Sequence, residues 1–302
     1  MTPDRDLIIV GAGPAGVAAA LQARRIGLDV LLVGDEPPGG LTAAARRIEN
    51  LPWLPGPLSG RDFQSLLSLR LAEAGIEPFN DGIRDVRRDG ACFVVTAGRF
   101  GEISCRALIL ACGTEPAACS LPGLAEATLS GRIHRDIRSL PESLAGERVI
   151  VVGGGEAAAD SALGAQDRGG RVAMFVRKDR LTVRPGLAEE LGRSAVEFGF
   201  GYEPRLVSAS AGGLAMEMMS ASGLRRVEGG HLLLCLGRRP RLDLYWKLGR
   251  GVRPGRIDTV IPGLFLAGDI LRERDRYIEP AMDDGMLAGS EAGRHLMRRR
   301  IS

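Results

Sequence analysis

Histidine and lysine are scarce in this chain of 302 residues. The three histidines, His134, His231 and His295, lie too far apart in the sequence to form a metal-binding motif, so we predict no metal site. Only two of the 40 basic residues are lysines. Because arginine supplies nearly all the positive charge, a single surface arginine is weak evidence of a binding site. The net charge of +3 is too small to predict a nucleic-acid or membrane partner.

Paired cysteines are also missing. None of the five cysteines belongs to a Cys-x-x-Cys pair and their number is odd, which argues against a disulfide scaffold and a zinc site. The five are Cys92, Cys105, Cys112, Cys119 and Cys235. Free thiols are typical of a reducing compartment, so we expect a cytoplasmic protein.

Apolar runs are too short to predict a membrane span. Residues 7–23 carry no charge, but they include Pro14 and three glycines and fall short of the roughly 20 apolar residues that a membrane helix needs. The first residues lack the basic start of a signal peptide. With 45% apolar and 25% charged residues, the composition is that of a globular protein of about two domains.

Two stretches of the chain share one pattern. Residues 7–16 and residues 149–158 each consist of a short apolar strand followed by a glycine-rich turn. An alanine-rich helical stretch and a second apolar strand follow each of them. Continuous apolar strands that alternate with helices are typical of parallel sheets covered on both faces. The sequence therefore predicts an α/β fold with two Rossmann-like, three-layer nucleotide-binding domains.

Glycine and proline interrupt the chain at two matching places, residues 113–116 and residues 237–240. These breaks bracket the second strand–turn–helix pattern almost symmetrically. The simplest architecture inserts the second domain into the first. We predict that residues 1–116 and 239–302 form the first domain and that residues 117–238 form the second.

The glycine turns predict dinucleotide binding. In Gly11-x-Gly13-x-x-Gly16, the first glycine permits a tight turn, the second lets the backbone approach a pyrophosphate, and the third lets the helix pack on the strand. The following helix presents N–H groups and its positive dipole end to the phosphates. The second copy, residues 153–158, has alanine at the third position, which the motif tolerates. Two copies favour a protein that binds two nucleotides.

Charged residues follow the second strand of each domain. Arg177 and Lys178 lie where a 2′-phosphate on adenosine would need positive charge, which favours NADPH. A solvated strand end is the alternative interpretation. In the first domain, Asp35 and Glu36 lie where a carboxylate would bind the ribose of a nucleotide.

A third signal is the pair Gly268 and Asp269, which follows an apolar strand. The carboxylate would accept hydrogen bonds from a ribityl chain. A helix that begins near Pro280 would point its positive end at a flavin. Asp283 and Asp284, near the start of this helix, would lower the reduction potential of a flavin close to them.

Together these motifs resemble the thioredoxin reductase branch of the FAD-dependent pyridine nucleotide oxidoreductases, over almost the whole chain. The resemblance implies a homodimer with FAD in the first domain and NADPH in the second, where NADH or a second FAD are alternatives. The predicted FAD-binding residues are Gly11, Gly13, Pro14, Ala15, Gly16, Asp35, Glu36, Gly40, Leu41, Thr42, Asn50, Cys112, Gly113, Gly268, Asp269, Arg276, Tyr277 and Ile278. The predicted NADPH-binding residues are Gly153, Gly155, Glu156, Ala157, Ala158, Arg177 and Lys178.

The chain departs from the family pattern at the redox dithiol. The family's Cys-x-x-Cys precedes the strand of the NADPH loop. Counting back from Gly153 without gaps places it at residues 136–139, which read Asp-Ile-Arg-Ser. No cysteine lies between Cys119 and Cys235. Aspartate and serine form no disulfide, so we expect that this chain does not reduce thioredoxin by the family route.

An oxidoreductase remains the favoured function, with the flavin itself as the catalytic group. We predict electron transfer between NAD(P)H and an unidentified acceptor, for example a small redox protein. The alternatives are electron transfer to ferredoxin or flavodoxin, a diflavin form, a disulfide reductase that uses Cys112 or Cys119, and a flavin-binding redox sensor without turnover. His134 is expected on a surface loop and has no predicted role.

Overall fold

The computed structural model describes residues 3–127, 131–249 and 257–301. The chain divides into two compact units: the first unit is Met1–Glu115 with Arg239–Ser302, and the second unit is Pro116–Arg238. None of the helices in the described ranges is long and apolar enough to cross a membrane.

The strands and helices of the described residues are numbered here in chain order. The strands are β1 (Arg5–Val10), β2 (Val30–Gly34), β3 (Phe79–Asn80), β4 (Ile83–Asp89), β5 (Cys92–Ala97), β6 (Gly101–Leu110), β7 (Thr114–Pro116), β8 (Ile133–His134), β9 (Arg148–Val152), β10 (Arg171–Val176), β11 (Glu197–Phe200), β12 (Glu203–Ser210), β13 (Gly213–Ser220), β14 (Gly223–Gly229), β15 (His231–Leu234), β16 (Arg238–Pro240) and β17 (Leu264–Leu266). The helices are α1 (Pro14–Arg25), α2 (Gly60–Glu73), α3 (Leu124–Ala127), α4 (Glu156–Asp167), α5 (Pro185–Arg193), α6 (Asp243–Leu248) and α7 (Ile278–Ile301).

A seven-stranded sheet in the order β3-β2-β1-β6-β5-β4 forms the centre of the first unit, with β17 beside β6. Strands β1, β2, β3, β6 and β17 are parallel, and β5 and β4 continue from β6 in antiparallel pairs. The side chains of β1 alternate between two cores: Leu7 and Ile9 pack on the side of α1, α2 and α7, and Ile8 and Val10 pack on the other. Burial on both faces explains why this strand is a continuous apolar run.

Helices α1 and α7 pack closely on one face of this sheet because small residues line their contact. A Cβ atom at Gly285 would overlap the carbonyl oxygen of Ala15, and one at Gly289 would lie 2.8 Å from the carbonyl oxygen of Ala19. Helix α7 begins at Ile278, two residues before the predicted start at Pro280. The packing fixes α1 on the sheet and with it the glycine turn that precedes α1.

The second unit contains a parallel five-stranded sheet, β11-β10-β9-β15-β8, and a separate antiparallel sheet, β12-β13-β14. Ile150 and Val152 of β9 share a core with Met216 and Met218 of β13, while α4 packs against β9 and β10. Each of these two sheets has a strand–turn–helix unit at its centre, which confirms the predicted α/β fold with two Rossmann-like parts. The sheet of the second unit is parallel as predicted, whereas that of the first unit is mixed, because the hairpin of β4 and β5 extends it in antiparallel pairs.

Candidate functional site

The first glycine turn connects β1 to α1. Gly11 has a φ of 108°, a backbone conformation that glycine adopts readily and other residues do not. A Cβ atom at Gly11 would overlap the carbonyl oxygen of Ala111, and one at Gly16 would overlap the carbonyl oxygen of Gly11. Because both neighbours are backbone atoms, the first and third positions of this turn accept only glycine.

The N-terminus of α1 has the features of an anion-binding site. Its N-cap residue is Gly13, which has no side chain to cap the helix, and Pro14 follows at the first helical position. The first turn of α1 contains no acidic residue. A Cβ atom at Gly13 would meet no described atom within 4 Å, so the backbone borders open space there. The N–H groups of Ala15 and Gly16 are therefore positioned to bind phosphate oxygens.

A second loop of the first unit packs against this turn. The backbone N–H of Gly39 donates to the carbonyl oxygen of Ala12 at 2.8 Å. Gly40 has a φ of 53°, and a Cβ atom on it would lie 3.2 Å from the Cα atom of Gly13. The Thr42 hydroxyl donates to the carbonyl oxygen of Gly39 at 2.6 Å. The structure thus brings the predicted loop of residues 40–42 against the glycine turn.

The two acidic residues predicted to bind a ribose lie at the carboxyl end of β2. Asp35 and Glu36 are both exposed. The carboxylate of Asp35 forms an ion pair with Arg241 at 3.5 Å. Both residues therefore lie at the edge of the sheet that the glycine turn also occupies.

An ion pair between Asp284 and Arg272 lies next to Gly268 and Asp269, the residues predicted to bind a ribityl chain. The carboxylate of Asp284 accepts a hydrogen bond from the N–H of Gly268 at 3.2 Å. It also accepts from Arg272, with 3.0 Å between Nη2 and Oδ1, and this hydrogen bond raises the pKa of Arg272. The positive charge of Arg272 opposes the effect that the Asp284 carboxylate would have on a nearby flavin, and the lowered reduction potential stays a prediction.

Cys112 follows β6, directly after Ala111. Its Sγ atom lies 3.8 Å from the carbonyl oxygen of Val10. Burial raises the pKa of the Cys112 thiol to about 12. The next residue, Gly113, turns the chain with a φ of 63°. The structure therefore places Cys112 beside the strand that leads to the glycine turn, in surroundings that favour its thiol form over the thiolate.

The remaining residues predicted to contact FAD are more exposed. Arg276 donates from Nε to the carbonyl oxygen of Arg272 at 3.1 Å, which joins it to the ion pair described above. Tyr277 is exposed, and Ile278 is the first residue of α7. Asn50 is exposed in the loop that precedes α2.

The second glycine turn, between β9 and α4, repeats the geometry of the first. Gly153 has a φ of 148°, and a Cβ atom on it would lie 2.5 Å from the carbonyl oxygen of Cys235. The same hypothetical atom would lie 3.0 Å from the Cβ of Ala158, so the methyl group of Ala158 occupies the space next to Gly153 and gives a second reason for glycine at the first position. The N-cap Gly155 has no side-chain cap among the described residues and also borders open space.

The entrance to α4 differs from that of α1, because its first residue is acidic. The carboxylate of Glu156 faces Arg184: Oε1 accepts from the backbone N–H at 3.0 Å, and Oε2 accepts from the guanidinium at 3.2 Å. Ala157 follows it in the first turn of α4. The prediction grouped Glu156 with the residues that bind the nucleotide, and the structure shows that its carboxylate is engaged by a residue 28 positions later.

Arg177 and Lys178 directly follow β10, and both are exposed. The carbonyl oxygen of Lys178 accepts a hydrogen bond from the N–H of Gly201 at 3.1 Å. The two side chains therefore lie at the carboxyl edge of the parallel sheet, where the second glycine turn also lies.

Residues 136–139, where the sequence analysis expects the family's dithiol, form a hydrogen-bonded loop. Asp136 caps a 3-10 turn, Ile137–Ser139, and accepts from the N–H and the guanidinium of Arg138, each at 2.9 Å. Burial raises the pKa of the Asp136 carboxyl, but the hydrogen bonds from Arg138 outweigh burial and lower it overall. Arg168 donates to three backbone carbonyl oxygens of the same loop, those of Ile137, Leu140 and Pro141.

His134 is buried in β8, so the expectation of a surface loop was wrong. Strands β8 and β15 pair in parallel and bring the Nε2 atom of His134 to 3.0 Å from the Nδ1 atom of the buried His231. The Nδ1 atom of His134 lies 3.0 Å from the hydroxyl of Ser139, which itself donates to the carbonyl oxygen of Asp136. Burial, and then the neighbouring His231, lower the pKa of His134 to about 4. The pair was not predicted, because its members are 97 residues apart in the chain.

Comparison with known proteins agrees with this geometry. Residues 5–285 match the model of a family described as pyridine nucleotide-disulphide oxidoreductase. The thioredoxin reductase of Listeria monocytogenes is 30% identical, over 96% of this chain and 93% of that protein. The thioredoxin reductase of Treponema pallidum is 26% identical over 98% of both chains.

Solved structures show the same fold. The thioredoxin reductase of Lactococcus lactis superposes with a TM-score of 0.87 at 22% identity, covering 98% of this chain and all of that one. The bacillithiol disulfide reductase Bdr (YpdA) of Staphylococcus aureus superposes with a TM-score of 0.79 at 15% identity, covering 95% of this chain and 97% of that one.

Proposed function

The chain belongs to the pyridine nucleotide-disulphide oxidoreductase family, and we propose that it is an FAD-dependent NAD(P)H oxidoreductase whose electron acceptor is not a dithiol of its own chain. The observation that carries the proposal is the loop at residues 136–139. It contains no sulfur, and its polar groups are engaged in hydrogen bonds with one another and with the neighbouring residues His134 and Arg168.

FAD is assigned to the first unit. The donors offered there are backbone N–H groups at the uncapped start of α1, next to a glycine that leaves room for a pyrophosphate, and this donor set fits the group. Gly11, Gly13 and Gly16 would hold the pyrophosphate, and Asp269, next to the Arg272–Asp284 ion pair, would hold the ribityl chain. When bound, FAD supplies the two-electron acceptor for hydride from a nicotinamide.

The nicotinamide nucleotide is assigned to the second unit. Gly153 and Gly155 offer the same kind of uncapped helix start. Arg177 and Lys178, exposed at the end of β10, supply the positive charge that a 2′-phosphate requires, which favours NADPH over NADH. For the acceptor we propose a small redox protein, because the relatives that match most of this chain are called thioredoxin reductases.

The test is an anaerobic rapid-mixing experiment on the purified protein, after the bound flavin per chain has been counted. NADPH and NADH are added separately while absorbance near ~450 nm is followed. We expect one FAD per chain and a rapid loss of absorbance that is faster with NADPH. Steady-state turnover should then occur with ferricyanide and should not occur with oxidised thioredoxin.

Each alternative has its own outcome in this experiment. Two flavins per chain would replace our assignment of the second unit by a diflavin form. No loss of absorbance with either nucleotide would overturn the reductase proposal and favour a sensor. Turnover with oxidised thioredoxin that disappears when Cys112 and Cys119 are replaced would establish a different dithiol and overturn the proposed acceptor class.

A further inference from the structure

The segment that follows β10 in the second unit is strongly basic. In residues 177–184, hereafter the basic segment, four side chains are positive and one is negative. The positive residues are Arg177, Lys178, Arg180 and Arg184. The backbone of this segment is anchored near its start, where the carbonyl oxygen of Lys178 accepts from the N–H of Gly201 at 3.1 Å.

The end of the basic segment is tied to the second glycine turn. The N–H of Thr182 donates to the carbonyl oxygen of Gly154 at 2.7 Å, and Thr182 pairs with Gly155 in a parallel β-bridge. Two residues later, the N–H and the guanidinium of Arg184 both donate to the carboxylate of Glu156. Glu156 thus forms the outer of two connections that hold the basic segment alongside the phosphate-binding turn.

The carboxylate of Glu156 is not suited to bind a phosphate directly. An uncompensated negative charge at the first position of α4 would repel a pyrophosphate bound at the helix start. Both of its oxygens are instead taken by Arg184, and its side chain is 48% exposed. An ion pair as exposed as this one contributes little to the free energy of unfolding. We therefore expect its main effect to be local, on the position of the basic segment.

We propose that Glu156 is a positioning residue that sets the preference for NADPH over NADH by holding the basic segment beside the glycine turn through Arg184. This inference rests on the proposed function, because it takes the second unit as the nicotinamide site. A fixed basic segment binds the 2′-phosphate without the entropy cost of ordering its side chains and backbone, whereas NADH, which has no 2′-phosphate, gains nothing from it.

Two substitutions separate position from charge. Glu156→Asp keeps the negative charge but is one methylene shorter and does not reach both donors of Arg184. Glu156→Gln loses the charge but keeps a carbonyl oxygen that accepts from the N–H of Arg184. Glu189→Gln is the matched control, since Glu189 forms a comparable exposed ion pair with Arg193 on α5, 3.3 Å apart.

Isothermal titration with NADPH and with NADH on the FAD-loaded protein gives the ratio of the two dissociation constants. We expect Glu156→Asp to weaken NADPH binding by about fivefold, since an exposed ion pair is worth at most about 1 kcal/mol, and to leave NADH binding within about twofold. Glu156→Gln should keep most of the preference, and Glu189→Gln should match the wild type. The unfolding midpoint of each variant, measured in parallel, should stay within about 2 °C of the wild type.

Opposite results overturn the inference. If Glu156 acted only through its charge, Glu156→Asp would behave as the wild type and Glu156→Gln would tighten both nucleotides alike. A wild type that binds neither nucleotide would overturn the proposed function itself, and this inference with it. A wild type that prefers NADPH, together with a Glu156→Asp variant that keeps the preference, would overturn the inference alone.

Discussion

In the first glycine turn Gly11 packs against the carbonyl oxygen of Ala111, and in the second Gly153 packs against that of Cys235. In both turns this oxygen belongs to the residue that directly follows a strand paired with the strand before the turn. Positive φ and close approach together make glycine necessary at this first position in both units. The shared part of the motif is therefore set by the neighbouring strand.

The two turns differ at the third position and at the helix start. Gly16 leaves no space for a methyl group, whereas the second turn accommodates the methyl group of Ala158. The first helix begins with a proline, and the second begins with Glu156, whose charge is met by Arg184. The same motif thus accepts only glycine at its third position in the first unit and accepts alanine there in the second. This difference depends on the packing around each turn and cannot be read from the motif alone.

We predict the largest effect for a pair of variants that exchange the residues at the third positions of the two turns. Gly16→Ala places a methyl group on the carbonyl oxygen of Gly11, a backbone atom, and should lower the free energy of unfolding by about 3 kcal/mol. The distorted turn should also retain much less FAD. Urea unfolding and the flavin absorbance per chain measure the two effects.

The reciprocal variant is the control for this exchange. Ala158→Gly removes a small buried methyl group and creates no clash, so it should cost about 1–2 kcal/mol through the helix propensity of glycine and the lost burial. Equal losses in Gly16→Ala and Ala158→Gly would show that the two turns have the same tolerance, against the packing described here.

The second prediction concerns acid stability, in which the units should also differ. His134 and His231 are buried against each other in the second unit, and both pKa values are lowered, that of His134 to about 4. Burial is the main cause for both. Glu147 raises the pKa of His231 and Arg132 lowers it, so these charges oppose each other. The folded unit therefore resists protonation in a range where free histidine accepts a proton.

The sign of the effect follows from linkage. Below the unfolded pKa near ~6.5 the unfolded chain binds protons that the folded unit does not, so stability present at pH 7 is lost as pH falls towards 4. At pH 5 the loss for His134 alone should be about 2 kcal/mol. His134→Asn should reduce this loss.

The two units can be followed separately in this experiment. Both tryptophans, Trp53 and Trp246, belong to the first unit, so their fluorescence reports on that unit. Hydrogen exchange of residues 131–140 reports on the second. We expect the second unit to open first as the pH is lowered, and the His134→Asn protein to lose that order. Simultaneous opening of both units in the wild type would contradict a role of the histidine pair.

The sequence predicted the fold and the glycine turns because these depend on local patterns. A continuous apolar strand, a turn with positive φ and an alanine-rich helix are all encoded within a short stretch such as residues 7–25. The bond between Gly39 and Ala12 and the contact of Gly40 with Gly13 were not predicted as geometry, but the same loop was selected through the family resemblance.

The unpredicted features join residues that are distant in the chain. The histidine pair exists because β8 and β15 are neighbours in a sheet. The pairing of a strand of only two residues, such as β8, cannot be predicted from the sequence pattern. Glu156 was assigned from its place in the motif, and its partner Arg184 lies outside that motif. The one available signal of a buried ring was that His231 is followed directly by the apolar residues 232–234, with which it forms β15.

The smallest expected effect concerns the two cysteines beside the turns. Cys112 follows the carbonyl that contacts Gly11, and Cys235 supplies the carbonyl that contacts Gly153. Burial raises the pKa of Cys112 to about 12 and that of Cys235 to about 11, so at pH 7 fewer than about one thiol in a thousand is ionised. Since thiolates are the reactive form, we expect neither residue to act as part of a redox dithiol.

Cys112→Ala and Cys235→Ala should therefore leave kcat/KM for NADPH and ferricyanide within about twofold of the wild type. In the wild type, both thiols should react slowly with iodoacetamide at neutral pH, as peptide mass spectrometry would show. A large loss of turnover in the Cys112→Ala protein that retains its FAD would give this thiol a part in electron transfer. Cys235 corresponds in position to Ala111, one residue before Cys112, and each cysteine lies beside one glycine turn. A loss confined to Cys112 would therefore distinguish the first turn by its chemistry as well as by its packing.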